Sequence, residues 1–582
     1  MFHLTLRSVL LVALLCASFS FASPAYAAGV VGDGTPGSCT EAALNTALAG
    51  GGTITFNCGE PKTITLTSAK TIAQDTIILG GNVITLTSNF ATRLFSVNSG
   101  ALLRLQDIVL DKASVSGSDG GTISNHGTLV LEHTTIQTGI TDVNHSGGAI
   151  FTDGPATIIN STFRDNVGGS AGAIFANFGN AHVTIVNSSF FNNQAQNATT
   201  GYGGAIWVGN DAHVMVRDSY FFGNLAHFGG ALYTSPAARL ILEGTPTGSI
   251  YSSQMSLISN RATEDGGGIY NTGHLSMERA VISANRTPTE TILAGYGGGI
   301  YSHGVLTATR SVISSNQGRF GGGVFVGNSL NAQALIDRSV FLSNLSGSLG
   351  GGLYTNIPTT TVTISNSVFN GNTAVGSGGG LARFNTNLKI FNSSFTYNTA
   401  ASGGGLYLGA GPSPSSGPYV RVQSVTISHN TATNNQGGGV HNTGLVELYF
   451  TTIVSNTNGV LSVLSGNTRF RSSVLHNPGS LNCDSDGTVQ ISNDGANHVS
   501  DVSCGPQFTV VGGDPLLGSL QNDGSGTSYY HLPLAGSPLI NTGSSNCPVH
   551  DQRGAARPDA CDIGAVEFGG LLPRVYLPLA VK

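Results

Sequence analysis

Two carboxylates held close together can cut a polysaccharide, one as acid and one as base or nucleophile; as calcium ligands they can do so with an Arg or Lys beside them. In this 582-residue chain the richest grouping of such residues is Glu132, His133, Asp142, His145, Asp153 and Asp165. Asp142, Asp153 and Asp165 are the candidate catalytic carboxylates, but no spacing repeats among them, and polar residues scattered over loops account for the group better. No Asp or Glu lies between Arg338 and Val446, so that stretch offers no acid catalyst. The composition therefore leans away from an enzyme.

A second pattern is periodic. The tetrapeptide G-G-[AG]-[ILV] ends at Ile150, Ile206, Leu232, Ile269, Ile300, Val324, Leu353, Leu381, Leu406 and Val440, and the variant A-G-A-I ends at Ile174. The next residues are Phe151, Phe175, Trp207, Tyr233, Tyr270, Tyr301, Phe325, Tyr354, Ala382, Tyr407 and His441, nine of eleven aromatic in a chain with 7% aromatics. If the aliphatic residue points inward, alternation sends the aromatic outward. The expectation is an exposed row of rings that could stack on the sugars of a polymer; the competing reading is rings that stack on one another and shield a sheet. Arg279, Arg310 and Arg338 recur three residues before an apolar position. Unpaired, they would repel, so an acidic glycan could bridge them; the plainer reading is solvated side chains, with Asp337 as one partner.

These residues need a scaffold with the same period. The second recurring signal is an apolar residue followed three positions later by Asn, from Phe163/Asn166 through Phe190/Asn193 and Phe341/Asn344 to Ile453/Asn456 and, at the end, Val474/Asn477. From Asn166 to Asn477 is 311 residues over eleven steps, a mean near 28. Each unit holds short alternating runs such as His182–Val186 and no amphipathic helix. A unit of strands and turns cannot bury its apolar face alone and must stack on its neighbours. The result is an all-β solenoid, a parallel β-helix. Stacking predicts an inward apolar ladder, an Asn ladder at a bend whose amides bond along the stack and tolerate unusual φ/ψ, and glycines where φ is positive. Thr40 followed by Glu-Ala-Ala-Leu-Asn-Thr-Ala-Leu-Ala is the best helix in the chain, with Thr40 as N-cap, and reads as a cap over the open first coil.

Composition agrees with a rod and two ends. Only 9% of residues are charged, 82 are Gly, and the net charge of −6 comes without a basic cluster, which argues against nucleic acid as partner. Arg7, the apolar run Val9 to Ala17 and Ala25-Tyr26-Ala27 have the order of a secretory signal, with cleavage expected after Ala27. No later segment is apolar enough to span a bilayer as a helix. The remaining cysteines, Cys39, Cys58, Cys483, Cys504, Cys547 and Cys561, fall into three local pairs near the ends and read as disulfides in an exported protein, with fifteen connectivities formally open. They lack metal-site spacing, and no cofactor is implied.

The alternation of the two motifs resembles the passenger repeats of chlamydial polymorphic outer membrane proteins, and more broadly bacterial β-helix proteins with a pectin-lyase-like fold. That resemblance implies a single-stranded, right-handed helix of parallel strands over about residues 50–480. Asp514-Pro-Leu-Leu, Leu532 to Ile540, Asp551-Gln-Arg-Gly, Arg557-Pro and Cys561 to Glu567 resemble the choice-of-anchor Q domain of exported surface proteins. The adjacent Asp pair and Gly-His-Gly of polygalacturonase-like enzymes and the nine-residue calcium repeat of other β-helices are absent. So is length for a terminal membrane barrel. The organisation expected is a signal peptide (1–27), a cap (28–58), the β-helix (59–480), a C-terminal domain (481–568) and a tail (569–582). The function expected is that of an exported, adhesin-like surface protein, secreted or cell-associated, that binds polysaccharide or a surface glycan. A polysaccharide lyase or glycoside hydrolase and a structural spacer are the alternatives. The sequence does not speak to oligomeric state.

Overall fold

The computed structural model describes residues 29–247, 253–290, 295–327, 329, 332–356, 361–409, 419–463, 467–485, 490–505, 508, 513–522, 528–558 and 560–570. The expected signal peptide and residues 571–582 of the expected tail lie outside them. The chain winds into a β-solenoid whose full coils visit four faces in turn, while the first and last coils have no face IV strand among the described residues. Coil 150–168 is representative: Ile150–Thr152 on face I, Ala156–Ile159 on face II, Thr162–Arg164 on face III and Val167–Gly168 on face IV. Face I is a sheet of 16 parallel strands, from Lys70–Ile72 to Cys483–Ser485. Faces II and III form one sheet of 33 strands, and face IV consists of sheets of 6 and 5 strands. Sixteen coils at the usual strand spacing give a rod about 75 Å long.

Both expected ladders form. Phe163, Phe190, Phe221, Phe341, Phe369 and Phe395 point inward and are fully buried, with ring centroids 4.3–4.9 Å apart in near-parallel stacks. On the same coils each ladder Asn donates from Nδ2 to the next Asn Oδ1 at 2.9–3.0 Å, from Asn166 through Asn456. The backbone strain expected at these asparagines falls one residue earlier. Asp165, Asn192, Ser315, Ser343 and Tyr397 hold φ between 52° and 57°, so the ladder Asn keeps its side chain square to the stack while its predecessor makes the bend. The last expected ladder member also shifts. Leu475, not Val474, pairs with Ile453 and enters the core, and Asn456 Nδ2 donates to Ile427 O and Val454 O in place of a rung to Asn477. Val474 faces out onto Leu539 and Ile563.

The Gly pair of each unit has two separate causes. The first, as in Gly203 at φ +63°, turns left-handed; at the second, a Cβ on Gly204 would stand 2.0 Å from the Gly230 carbonyl oxygen. Between faces II and III lies a ladder that the sequence reading missed. Ser188 Oγ accepts from Ser161 N, and Ser339 Oγ from Ser311 N, at 3.1–3.2 Å. Each serine follows a left-handed residue such as Asn160, Asn187, Arg310 or Arg338.

At the N-terminal end the helix Glu41–Leu48 starts at Thr40, whose side chain accepts from Ala43 N, and Gly51, at φ +66°, turns the chain away after it. Glu41 ties the helix to the first coils, accepting from Thr67 N and Oγ1 at 2.8 Å and from the buried Lys70 ammonium at 2.5 Å. Burial opposes its charge, but these hydrogen bonds outweigh burial and hold the carboxyl down to about 2. A carboxyl depressed on folding adds stability above its unfolded value, about 4.5, and yields it as pH falls toward 2. Glu41→Gln is therefore expected to lower the melting temperature at pH 7 and to match the parent chain below about pH 2, followed by circular dichroism.

The cysteines pair locally: Cys39–Cys58, Cys483–Cys504 and Cys547–Cys561. Parallel stacking continues beyond residue 480, through Gln490–Asn493 and His498–Val499. The chain then turns back and lies along the outside of face III. Tyr529 N bonds to Ser394 Oγ, Gln552 Oε1 accepts from Thr426 Oγ1, His531 meets Ser428 Oγ, and Ala565 N bonds to Thr452 Oγ1, all at 2.6–3.1 Å.

Candidate functional site

Strand register places the aromatic row as alternation requires, each ring opposite the next from Phe151 through Phe175, Trp207, Tyr233, Tyr270, Tyr301, Phe325 and Tyr354. The expected exposure does not follow. Tyr301 is 3% and Phe325 1% exposed; Phe151, Phe175 and Tyr354 are also buried, and Trp207, Tyr233, Tyr270 and Tyr407 partly so. Neighbouring rings occupy one another's faces. Phe175 stacks on Trp207 at 4.3 Å and Tyr270 on Tyr301 at 4.4 Å. A second row from the residue before each Gly pair closes over them: Tyr202 lies 4.4 Å from Tyr233, and Tyr296 4.8 Å from Phe325. Trp207 Nε1 donates to Ser235 Oγ at 2.9 Å. A ring whose faces are taken offers only an edge, which cannot stack on a sugar. The row on face I is a second, external apolar core.

The second row contains one carboxylate, Asp265, in the place held by Phe228 and Tyr296 on neighbouring coils. Burial pushes its carboxyl up to about 6, against hydrogen bonds from Gly295 N and Tyr296 N at 3.0 and 2.8 Å. A value raised on folding favours the protonated form, so this group's contribution is full below about pH 4 and is lost as pH rises through 6. Asp265→Asn is expected to stabilise the chain at pH 7.5 by on the order of 2 kcal/mol and to change nothing near pH 4, measured as paired melting curves.

The arginines are not bare. Arg279 and Arg310 share Glu278 at 2.7 and 3.1 Å, and Arg338 lies 3.3 Å from Asp337. All three are the left-handed corner residues between faces II and III, so charge repulsion gives no reason for a bridging glycan. The candidate catalytic carboxylates are kept apart by the coil path. Asp142 follows face IV, Asp153 follows face I and Asp165 follows face III, three different corners. Asp142 accepts from Gly117 N and His145 Nδ1, both at 2.7 Å, which holds it well below the usual carboxylate range. Asp153 pairs with His126 at 2.9 Å, and Asn192 Nδ2 lies 3.4 Å from Asp165 Oδ1. Of the wider group, Glu132 pairs with Arg104 at 2.7 Å and His133 lies 3.5 Å from Asp107. No acid–base pair can be made from carboxylates on separate corners.

A cluster of outward rings lies elsewhere, on face III: Phe191 and Tyr220, both half-buried, and Phe222, 40% exposed. Phe191 and Phe222 are in register on neighbouring strands. Tyr220 and Phe222 lie 6.1 Å apart with planes 9° from parallel, and Phe191 and Tyr220 5.8 Å apart. The signal was present as the doublets Phe190-Phe191 and Phe221-Phe222, which alternation splits into one ring inside and one outside.

Residues 187–209 match the Chlamydia polymorphic membrane protein (Chlamydia_PMP) repeat. The matched stretch runs over faces III, IV and I of one coil and includes Phe191 and Trp207. No curated protein matches the chain. Among the described residues no helix is long and apolar enough to cross a membrane, and no group of three or more His, Cys, Asp or Glu is placed to hold a metal ion.

Proposed function

We propose that the chain is an exported surface β-helix of adhesin-like character that binds polysaccharide along its flank without cutting it. The observation that carries this reading is the contrast between the outward ring cluster of Phe191, Tyr220 and the exposed Phe222 on face III and the dispersal of the candidate carboxylates over three corners. The repeat match, the solenoid and three disulfides support a place outside the cytoplasm. A C-terminal unit resembling a choice-of-anchor domain fits retention at the surface.

The test is a panel of insoluble and arrayed glycans, scored for retention and for new reducing ends or unsaturated products. Retention without products is expected, and Tyr220→Ala with Phe222→Ala should weaken it at least about tenfold, as stacked aromatic anchors do. Trp207→Ala with Tyr233→Ala, which disturbs the covered row, should lower the melting temperature instead. Product formation would make the chain an enzyme, and no retention on any glycan would leave it a spacer.

A further inference from the structure

At the start of face II, His182 and His213 occupy one register position on adjacent parallel strands. Both are exposed, and neither imidazole has a hydrogen-bond partner among the described residues. Their ring centroids are 5.2 Å apart, with planes at 67°. Two imidazoles on one tetrahedral ion, each nitrogen 2.0–2.1 Å from the metal, have centroids about 5 Å apart. The stack thus holds the two rings at the centroid separation a single ion demands. Both imidazoles are exposed, so solvent reaches the remaining coordination positions. On the far side, the same register position is held by Arg239 and then His274. The histidine row is broken there by a cation, and His274 lies between Arg239 and Val305 with no imidazole neighbour in register.

We propose that His182 and His213 form a two-histidine site for a borderline divalent cation such as Zn²⁺ or Ni²⁺, with solvent completing the shell. Imidazole pairs favour these ions over Mg²⁺ or Ca²⁺, which prefer oxygen donors. The site lies on another face from the aromatic platform and does not depend on glycan binding.

Equilibrium dialysis of the tag-free full chain at pH 7.5 against Zn²⁺, and separately Ni²⁺, tests it. One ion per chain is expected. His182→Ala and His213→Ala should each weaken binding at least about tenfold, while His274→Ala, on the same row, should bind as the parent does. All three side chains are exposed, and matched melting curves in the absence of metal confirm that the variants fold. The proposal fails if the parent chain takes up no stoichiometric ion, if either single variant binds as well as the parent, or if His274→Ala loses the ion equally.

Discussion

Replacing Asn316 with alanine is expected to cost about 3 kcal/mol or more and to open the rod at that coil first. Its Oδ1 accepts from both the backbone and side-chain nitrogens of Asn285, and its Nδ2 donates to Ile282 O and Asn344 Oδ1, all between 2.8 and 3.0 Å. The residue is fully buried, so the groups it leaves behind cannot turn to water. Each orphaned buried donor or acceptor costs roughly 1–3 kcal/mol, and a bonded chain of amides loses mutual polarisation as well. Solenoid stability is a sum of coil and nearest-neighbour contributions, so the damage should be local. Hydrogen exchange should show faster opening in coils 257–344 while the cap and the last coils keep their protection. Uniform exchange along the rod would contradict this account.

Replacing Arg557 with methionine is expected to release the C-terminal unit from face III. Arg557 is wholly enclosed. Its Nη1 reaches Glu567 Oε2 and Asp562 O at 3.0 Å, Nη2 reaches Gly564 O at 2.6 Å, and the guanidinium lies 4.9 Å from the Phe450 ring. Burial already raises the Glu567 carboxyl above its ordinary value; the hydrogen bond from Asp562 N opposes this, and the Arg557 cation opposes it as well. Removing the cation leaves a buried carboxylate with only the Asp562 N hydrogen bond and no counter-ion, a loss of about 3–5 kcal/mol. The unit meets the coils through one small apolar cluster, Leu539 and Ile563 against Val454 and Val474, and has a second of its own around Tyr530 and Val566. These are separate from the main core, so the unit should come away as a piece. Limited proteolysis should then cut within 513–570 and leave the coils whole, with a new low-temperature step in the melting curve. Adding Glu567→Gln should recover part of the loss, since it removes the stranded charge. A single unchanged transition would refute the clasp.

How much of this was readable in the sequence depended on periodicity. The coil was readable because two motifs alternate, and alternation decides which side of a strand a residue takes. It does not say what stands over the outward side. The rings from Phe151 to Tyr407 therefore point out as expected, yet Trp207 to Phe325 are closed over by Tyr202, Phe228 and Tyr296, whose position before the Gly pair carried no strong pattern because Asp265 and several serines share it. The docking of the C-terminal unit was illegible for another reason. Its contacts join residues 126 and 135 apart, Thr426 to Gln552 and Ser394 to Tyr529, and no local spacing encodes such pairs. The candidate carboxylates were close in sequence, but a coil of four faces carries neighbours to different corners.

The asparagine ladder has a consequence for how such a chain can change over generations. Its rungs are uniform, 2.9–3.0 Å, although successive asparagines are separated by anything from 25 to 36 residues. The surplus is taken up at the corners, as between Gln194 and Gly203, without disturbing a rung. Lengthening an exposed loop costs little closure entropy. Whole coils can be duplicated or lost, and corner loops can drift in length and composition, while the frame that carries them is inherited intact. The fold separates the part that must stay constant from the part that is free to diversify.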